Sequence, residues 1–249
     1  MIDYIQQGDC LDLMKNIPDK SIDMILCDLP YGTTSKNEWD NVIPFVPLRE
    51  QYNRIIKDNG CIALFSQLPF ACDLINSNRK YFRYEWIYQK PNAVGFLNAN
   101  RMPLRSHENI LIFYKKLPTY NPQKTQGKPY KAKSGGRTSS NYDKFDGEWH
   151  TASIDGMRYP LDIIKFNKEQ GLHPTQKPVA LLEYLIKTYT NENETVLDNC
   201  MGSGSTCVAC VNTNRHYIGF EMEQKYFDIA EQRIKDAKNK IEEDKLQKR

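Results

Sequence analysis

No apolar run among the 249 residues approaches the roughly 18 needed to cross a bilayer, and no basic segment followed by an apolar core opens the chain. A membrane span and a secretory leader are therefore not expected. Paired cysteines are lacking too. The seven cysteines are odd in number, scattered and mostly set in apolar segments, which suits reduced thiols in a cytoplasm rather than a disulfide framework. Cys207 and Cys210 form a C-x-x-C without a second pair, and His150 and His216 have no ligand-like partner, so no metal site is expected. No internal repeat is present, and a net charge of +3 says little about partners by itself.

The bulk composition, 40 % hydrophobic and 26 % charged, is that of an ordinary globular protein, and the length suits one large α/β domain with an insertion better than two domains. Residues 12–17 read as a short helix. Ile22–Cys27 is short, apolar and bounded by turn residues, the pattern of a strand buried on both faces. Residues 47–57 read as a helix closed by Asn59 and Gly60, and 61–66 as the next strand. A helix over 69–78 and strands over 84–89 and 109–114 follow. Beyond the middle of the chain, 178–190 is amphipathic at helical spacing, 195–197 and 217–220 read as strands, Ser205–Asn212 as a helix, and residues from 224 onward as a long charged helix. This alternation predicts a doubly wound, mostly parallel α/β sheet with helices on both faces.

Between these halves, from about 116 to 170, periodicity fades. The stretch is too long for a plain connection and reads as a functional insertion in a single domain spanning 1–249. Between Lys115 and Tyr142 stand seven Lys or Arg and no Asp or Glu, with Tyr120, Tyr130 and Tyr142 interleaved. Two readings stay open: a solvated loop, or a surface whose cations neutralise phosphates and whose rings stack on bases.

Two short stretches carry chemistry. In "CDLPYG", Cys27–Gly32, the apolar strand stops at Pro30, which has no N–H for a ladder, and Gly32 permits a reversal. Asp28 and Tyr31 then sit at a strand's carboxyl edge, where open α/β sheets bind ligands. In "VLDNCMGSGST", Val196–Thr206, a strand ends in Asp198, a turn carries Gly202 and Gly204, and a helix starts near Ser205. The glycines let the backbone approach a ligand, and the helix start offers unpaired N–H groups. Glu221 follows at the end of the next strand, where an acid can accept hydrogen bonds from both ribose hydroxyls. The third glycine of a dinucleotide fingerprint is missing, which favours a nucleoside cofactor without a pyrophosphate over NAD. A capped turn with a half-buried ring is the plainer reading of Asp28 and Tyr31, and a tight packing turn that of the glycines.

With both stretches in view, the chain resembles the amino-directed DNA methyltransferases that act on adenine N6 or cytosine N4. Asp28, Leu29, Pro30 and Tyr31 match three of the four positions of that family's tetrad, Asp/Asn/Ser–Pro–Pro–Tyr. Asp198 to Thr206 matches its glycine-rich motif, Glu221 its ribose acid, and "HPTQKP", His173 to Pro178, a further motif; "HENILIFYK", His107 to Lys115, looks like another family segment. The tetrad precedes the insertion and the cofactor block follows it, the order of the permuted group often called beta class.

The resemblance implies a Rossmann-like fold, S-adenosylmethionine as cofactor, and methyl transfer to adenine N6 of a flipped base in double-stranded DNA. Cytosine N4 is the nearest rival, since a tetrad starting with serine is commoner there. A non-catalytic DNA-binding subunit of the same fold is a second. The implied catalytic residues are Asp28, Leu29, Pro30 and Tyr31, with the Leu29 carbonyl serving as the family's proline carbonyl would. The implied cofactor site comprises Asp9, Cys10, Asp28, His173, Thr175, Lys177, Asp198, Cys200, Gly202, Ser203, Gly204, Ser205, Thr206, Phe220 and Glu221. Within it Asp9 lies near the adenine, Asp198 and Gly202 near the methionine moiety, and Thr175 and Lys177 near its carboxylate. A solvated helix-start cation remains the plainer reading of Lys177, and a core ring that of Phe220. DNA contacts are expected from Lys124, Lys128, Tyr130, Lys131, Lys133 and Arg137 in the insertion, which would serve as the target-recognition region. The resemblance implies a restriction–modification or phage/host DNA-protection setting, in which a cognate restriction endonuclease is a possible partner whose existence the sequence does not reveal. The permuted group often forms homodimers, though no interface signature is readable here.

Overall fold

The computed structural model describes residues 2–32, 41–131, 152–168 and 176–247. The chain forms two compact units, one of residues 1–121 with 162–249, the other of residues 122–161. In chain order the first unit supplies β1 (Tyr4–Gln7), α1 (Cys10–Leu13), β2 (Ile22–Cys27), α2 (Phe45–Ile55), β3 (Ile56–Ser66), α3 (Phe70–Ser77), β4 (Phe82–Val94) and β5 (Arg105–Phe113). The second unit holds two-residue strands, β6 (Thr125–Gln126), β7 (Tyr130–Lys131), β8 (Ala152–Ser153) and β9 (Met157–Arg158), paired antiparallel as β6 with β9 and β7 with β8. The first unit resumes with β10 (Ile163–Lys165), α4 (Val179–Tyr189), β11 (Thr195–Asp198), α5 (Ser205–Asn212), β12 (His216–Glu221) and α6 (Gln224–Gln247).

Eight strands of the first unit make one sheet in the order β1-β12-β11-β2-β3-β5-β4-β10. Pairing is parallel except where β5 meets β3 and β4. The sheet is thus the mostly parallel α/β sheet foreseen, with one reversed strand whose first residues lie at the edge where β2, β11 and β12 end. Successive side chains of a strand point to opposite faces, and the two cores divide accordingly. Met24, Leu26, Cys61, Ala63, Phe65, Ile110 and Ile112 face one core with Leu182, Leu185 and Ile186 of α4 and Ala230 and Ile234 of α6. Ile25, Cys27, Ile62, Leu64, Leu111 and Phe113 face the other, with Leu48 and Ile55 of α2 and Phe70 and Leu74 of α3. Because β2, β3 and β5 are covered on both sides, they read as continuous apolar runs.

Several elements depart from the sequence reading. The helix foreseen over 47–57 ends at Ile55, and β3 begins at Ile56, because both isoleucines are drawn into the core. Asn59 and Gly60 do not close the helix; they lie in an irregular part of β3, where the register jumps between Ile22 opposite Ile56 and Met24 opposite Cys61. The edge strand β1 was not foreseen: it is four residues long and half of it is exposed, so it shows no apolar pattern. Residues 163–165 fall inside the expected insertion, yet as β10 they extend the sheet alongside Ile87–Gln89 of β4. No helix among the described residues is long and apolar enough to cross a membrane.

Candidate active site

The carboxyl ends of β2, β11 and β12 and the start of β5 surround a cleft of about 670 Å³, within the usual range of small-molecule sites. At the end of β2 the Leu29 side chain turns into the core, 3 % exposed, and leaves Asp28 and Tyr31 on the cleft. The Tyr31 hydroxyl donates to Asp28 Oδ1 at 2.6 Å, and its ring packs on Phe70 with centroids 5.0 Å apart. Burial, followed by the nearby negative charge of Asp28 and Glu108, raises the Tyr31 phenol well above its ordinary pKa, so the hydroxyl stays a donor.

The other Asp28 oxygen is held from across the cleft. Lys177, just before α4, places Nζ 2.5 Å from Asp28 Oδ2 and 3.2 Å from Glu108 Oε2, while Lys90 of β4 lies 2.5 Å from Glu108 Oε1. The Lys177 side chain is only 10 % exposed and lies over the Phe65 ring at 5.0 Å. Burial pulls its pKa down, but the Asp28 and Glu108 carboxylates together outweigh that and leave it above the ordinary lysine value. For Glu108 the balance is similar: burial pushes its pKa up, and the two ammonium groups bring it below the ordinary value. Lys177 is therefore not the solvated cation of the plainer sequence reading.

The glycine-rich turn forms the other wall. Asp198 accepts from Cys200 N at 3.1 Å, and burial pushes its carboxyl pKa up to about 6, against the hydrogen bonds from Thr206 and Cys200. Glu221 accepts from Gly202 N at 2.8 Å on one oxygen and from Glu223 N at 2.9 Å on the other. The carboxylate keeps acceptor capacity for a ligand hydroxyl beyond these backbone donors. Arg233 of α6 fastens the turn by donating to Ser203 O at 2.6 Å and Ser205 Oγ at 3.0 Å. Asp9 caps α1 by accepting from Leu11 N at 2.7 Å, and Asn199 bridges the Cys10 and Cys200 thiols at 3.6 and 3.4 Å.

Most of the residues singled out in the sequence meet here. Asp9, Cys10, Asp28, Leu29, Pro30, Tyr31, Lys177, Asp198, Cys200, Gly202, Ser203, Ser205, Thr206 and Glu221 all line the cleft. Two of the expected cofactor residues do not. Phe220 is fully buried in the α2–α3 core, because β12 alternates and its neighbour Glu221 takes the cleft side. Gly204 faces α6: a Cβ there would come within 2.8 Å of the Ala230 Cβ, and its φ of +76° is one that side chains rarely adopt. His173, Thr175, Lys133 and Arg137 lie outside the described residues. Lys124, Lys128, Tyr130 and Lys131 are exposed in the second unit, where Lys124 covers the Tyr159 ring at 4.3 Å and Arg158 the Tyr130 ring at 4.5 Å. Glu108 and Lys90 were not singled out. The signal for Glu108 was a carboxylate inside an apolar strand, which burial requires to be paired. Cys207 and Cys210 are buried free thiols, and among the described residues no cluster could hold a metal.

A nucleoside carrying a positive sulfonium fits these walls: Glu221 matches a ribose diol, the Asp28 and Asp198 carboxyls match a cation, and Gly202 leaves room for close approach. A doubly wound sheet with an acid-tipped glycine turn and an acceptor loop on one edge defines a Rossmann-like methyltransferase. Residues 22–232 match the family model described as DNA methylase, of the N6/N4 type, and the chain belongs to that family. Type II methyltransferase M2.MboI of Moraxella bovis is 28 % identical over 92 % of this chain and 86 % of its own length. Among solved structures, M1.HpyAVI in complex with SAM is 25 % identical, with a TM-score of 0.63 over 92 % of this chain and 98 % of that one. The cytosine-N4-specific PvuII DNA methyltransferase shares the fold at 17 % identity, with a TM-score of 0.69 over 97 % of this chain and 93 % of its own.

Proposed function

We propose that this protein transfers a methyl group from S-adenosylmethionine to adenine N6 of a base rotated out of double-stranded DNA. The observation that carries the reading is the Asp28 carboxylate, which faces the same cleft as Asp198, Gly202 and Glu221. An exocyclic amine is a poor nucleophile because its lone pair is delocalised into the ring. Two acceptors below the NH2, the Asp28 carboxylate and the Leu29 carbonyl, draw the nitrogen toward a tetrahedral geometry and localise that pair. When bound, S-adenosylmethionine would supply an electrophilic methyl on a sulfonium, its S–CH3 bond breaking as the N–CH3 bond forms, so that a neutral thioether leaves and the amine gives up one proton. The work of the chain is then positioning and electrostatics. Glu221 holds the ribose, Asp198 and Gly202 flank the methionine moiety, and Tyr31 yields Asp28 Oδ1 to the incoming amine and lays its ring on the base.

Adenine is favoured over cytosine because the tetrad-like loop begins with aspartate. A second reading, cytosine N4, uses the same acceptors, and the fold shared with the PvuII enzyme keeps it in play. Rotating the base out costs a few kcal/mol, which phosphate contacts from Lys124, Lys128 and Lys131 offset while the same segment reads the target in the groove. The order of blocks supports beta-class membership. The Type II names of the relatives support a cytoplasmic restriction–modification role with a companion endonuclease. The test is mass analysis of nucleosides from duplex DNA treated with protein and cofactor. N6-methyldeoxyadenosine is expected; N4-methyldeoxycytidine would move the reading to the sister activity, and no methylated nucleoside would leave a non-catalytic subunit.

A further inference from the structure

The family resemblance puts Lys177 beside the cofactor carboxylate. The geometry points elsewhere: we infer that Lys177 is a positioning residue for the Asp28 carboxylate, and that Glu108, steadied by Lys90, holds it in place. This rests on the reading of Asp28 as acceptor of the target amine.

Both Asp28 oxygens are engaged, but unequally. Oδ2 meets a buried ammonium at 2.5 Å, and Oδ1 meets a phenol at 2.6 Å. Both bonds are charge-assisted, since the acceptor is a carboxylate, but only the bond to Lys177 joins two opposite full charges in a largely buried site, and breaking it would also uncouple the lysine from Glu108. An arriving amine therefore displaces the Tyr31 hydroxyl rather than the ammonium, and takes Oδ1. The lysine thus decides which oxygen serves the substrate and in which direction it points. Nor can Lys177 leave for the cofactor at little cost, since Asp28 and Glu108 would then face each other as like charges. Among the described residues, the charged and titratable groups around Asp28 are Lys177 before α4, Glu108 on β5 with Lys90 behind it, Tyr31 on its own loop, Cys27 at the end of β2 and Asp198 at the end of β11. Only Lys177 among them contacts Asp28 as a cation.

The experiment compares wild type with Lys177→Met, Lys177→Arg, Glu108→Gln and the Lys177→Met/Glu108→Gln double variant. The readouts are cofactor Kd by calorimetry without DNA, and single-turnover methyl transfer against pH. Lys177→Met is expected to keep the cofactor Kd, to lower the rate near neutral pH by roughly ten- to a thousand-fold, and to move the acid limb of the rate upward, because the cation beside the acceptor carboxylate is gone. In the double variant the limb is expected to return toward its wild-type position, because the like charge has gone with the cation. Lys177→Arg keeps the limb while losing rate. A tenfold or greater rise in cofactor Kd for Lys177→Met, with the limb unmoved, would overturn the inference. Should Lys177→Met fail to fold, the inference stands only if Lys177→Arg keeps both the limb and the cofactor Kd, and it falls if that variant weakens cofactor binding. An Asp28→Ala control separates the two levels: full activity there sinks the reading of Asp28 itself, whereas an inactive Asp28→Ala beside a Lys177→Met limb like wild type sinks only the role of the lysine.

Discussion

At the scale of single residues, Asp198 carries the cost of a buried carboxyl. Its carboxyl is buried in the turn after β11 and titrates at about 6 rather than at its ordinary 3.8. Between those values the folded protein binds a proton that the unfolded chain has released, so stability from this residue falls as pH rises. The cost of ionisation is absent below the unfolded value and complete above the folded one, at most about 3 kcal/mol. Asp198→Asn is therefore expected to gain stability relative to wild type as pH rises from 4 to 7, by about 2 kcal/mol in urea titrations; a difference independent of pH would speak against a buried, strained carboxyl. Burial raises the carboxyl pKa of Glu221 as well, against the backbone N–H groups that orient it. If Glu221 accepts from a ribose diol as proposed, losing those bonds costs about 1.5–3 kcal/mol, so Glu221→Ala should weaken cofactor binding by roughly ten- to a hundred-fold in calorimetry. Unchanged affinity would remove Glu221 from the site.

At the scale of elements, α5 and α6 meet at a glycine. Gly204 combines a φ of +76° with an approach to Ala230 that leaves a Cβ only 2.8 Å from its neighbour. Gly204→Ala should cost about 1–3 kcal/mol by overpacking and backbone strain, read as a lower urea midpoint with an unchanged slope. A neutral substitution would show that the helices have room to part. This role was hidden in the sequence, where the glycine looked like part of a ligand turn, because nothing local says that α6 crosses over it. Strands β2, β3 and β5 were legible as apolar runs, since both of their faces are covered. The edge strands β1 and β10 were not, since an edge needs few apolar residues. The direction of β5 was also out of reach: its antiparallel pairing with β3 and β4 is set by tertiary contacts, and it alone delivers Glu108 to the cleft.

At the scale of the whole molecule, the glycine turn after β11 and the loop after β2 were legible as features at one sheet edge, because each is a contiguous motif fixed by a strand end. The pairing of Lys177 with Asp28 was not, since those residues are 149 positions apart and meet only through the sheet order. In the second unit, composition gave charge and aromatic content but not the two small ladders. If its exposed lysines contact phosphates, Lys124→Ala/Lys128→Ala/Lys131→Ala should weaken DNA binding and flatten the dependence of log K on log salt by about 0.9 per lost contact. Cofactor affinity should not change. A salt slope equal to wild type would leave these lysines as solvated surface.

The most direct test of the central claim is the time course of N6-methyldeoxyadenosine formation on duplex DNA by wild type and by Asp28→Ala, with cofactor binding of both measured in the same preparations. The account predicts product from wild type and, from a variant that binds cofactor equally well, a rate lower by at least about a hundredfold. Equal rates from the two proteins, or no methylated adenine from wild type, would contradict it.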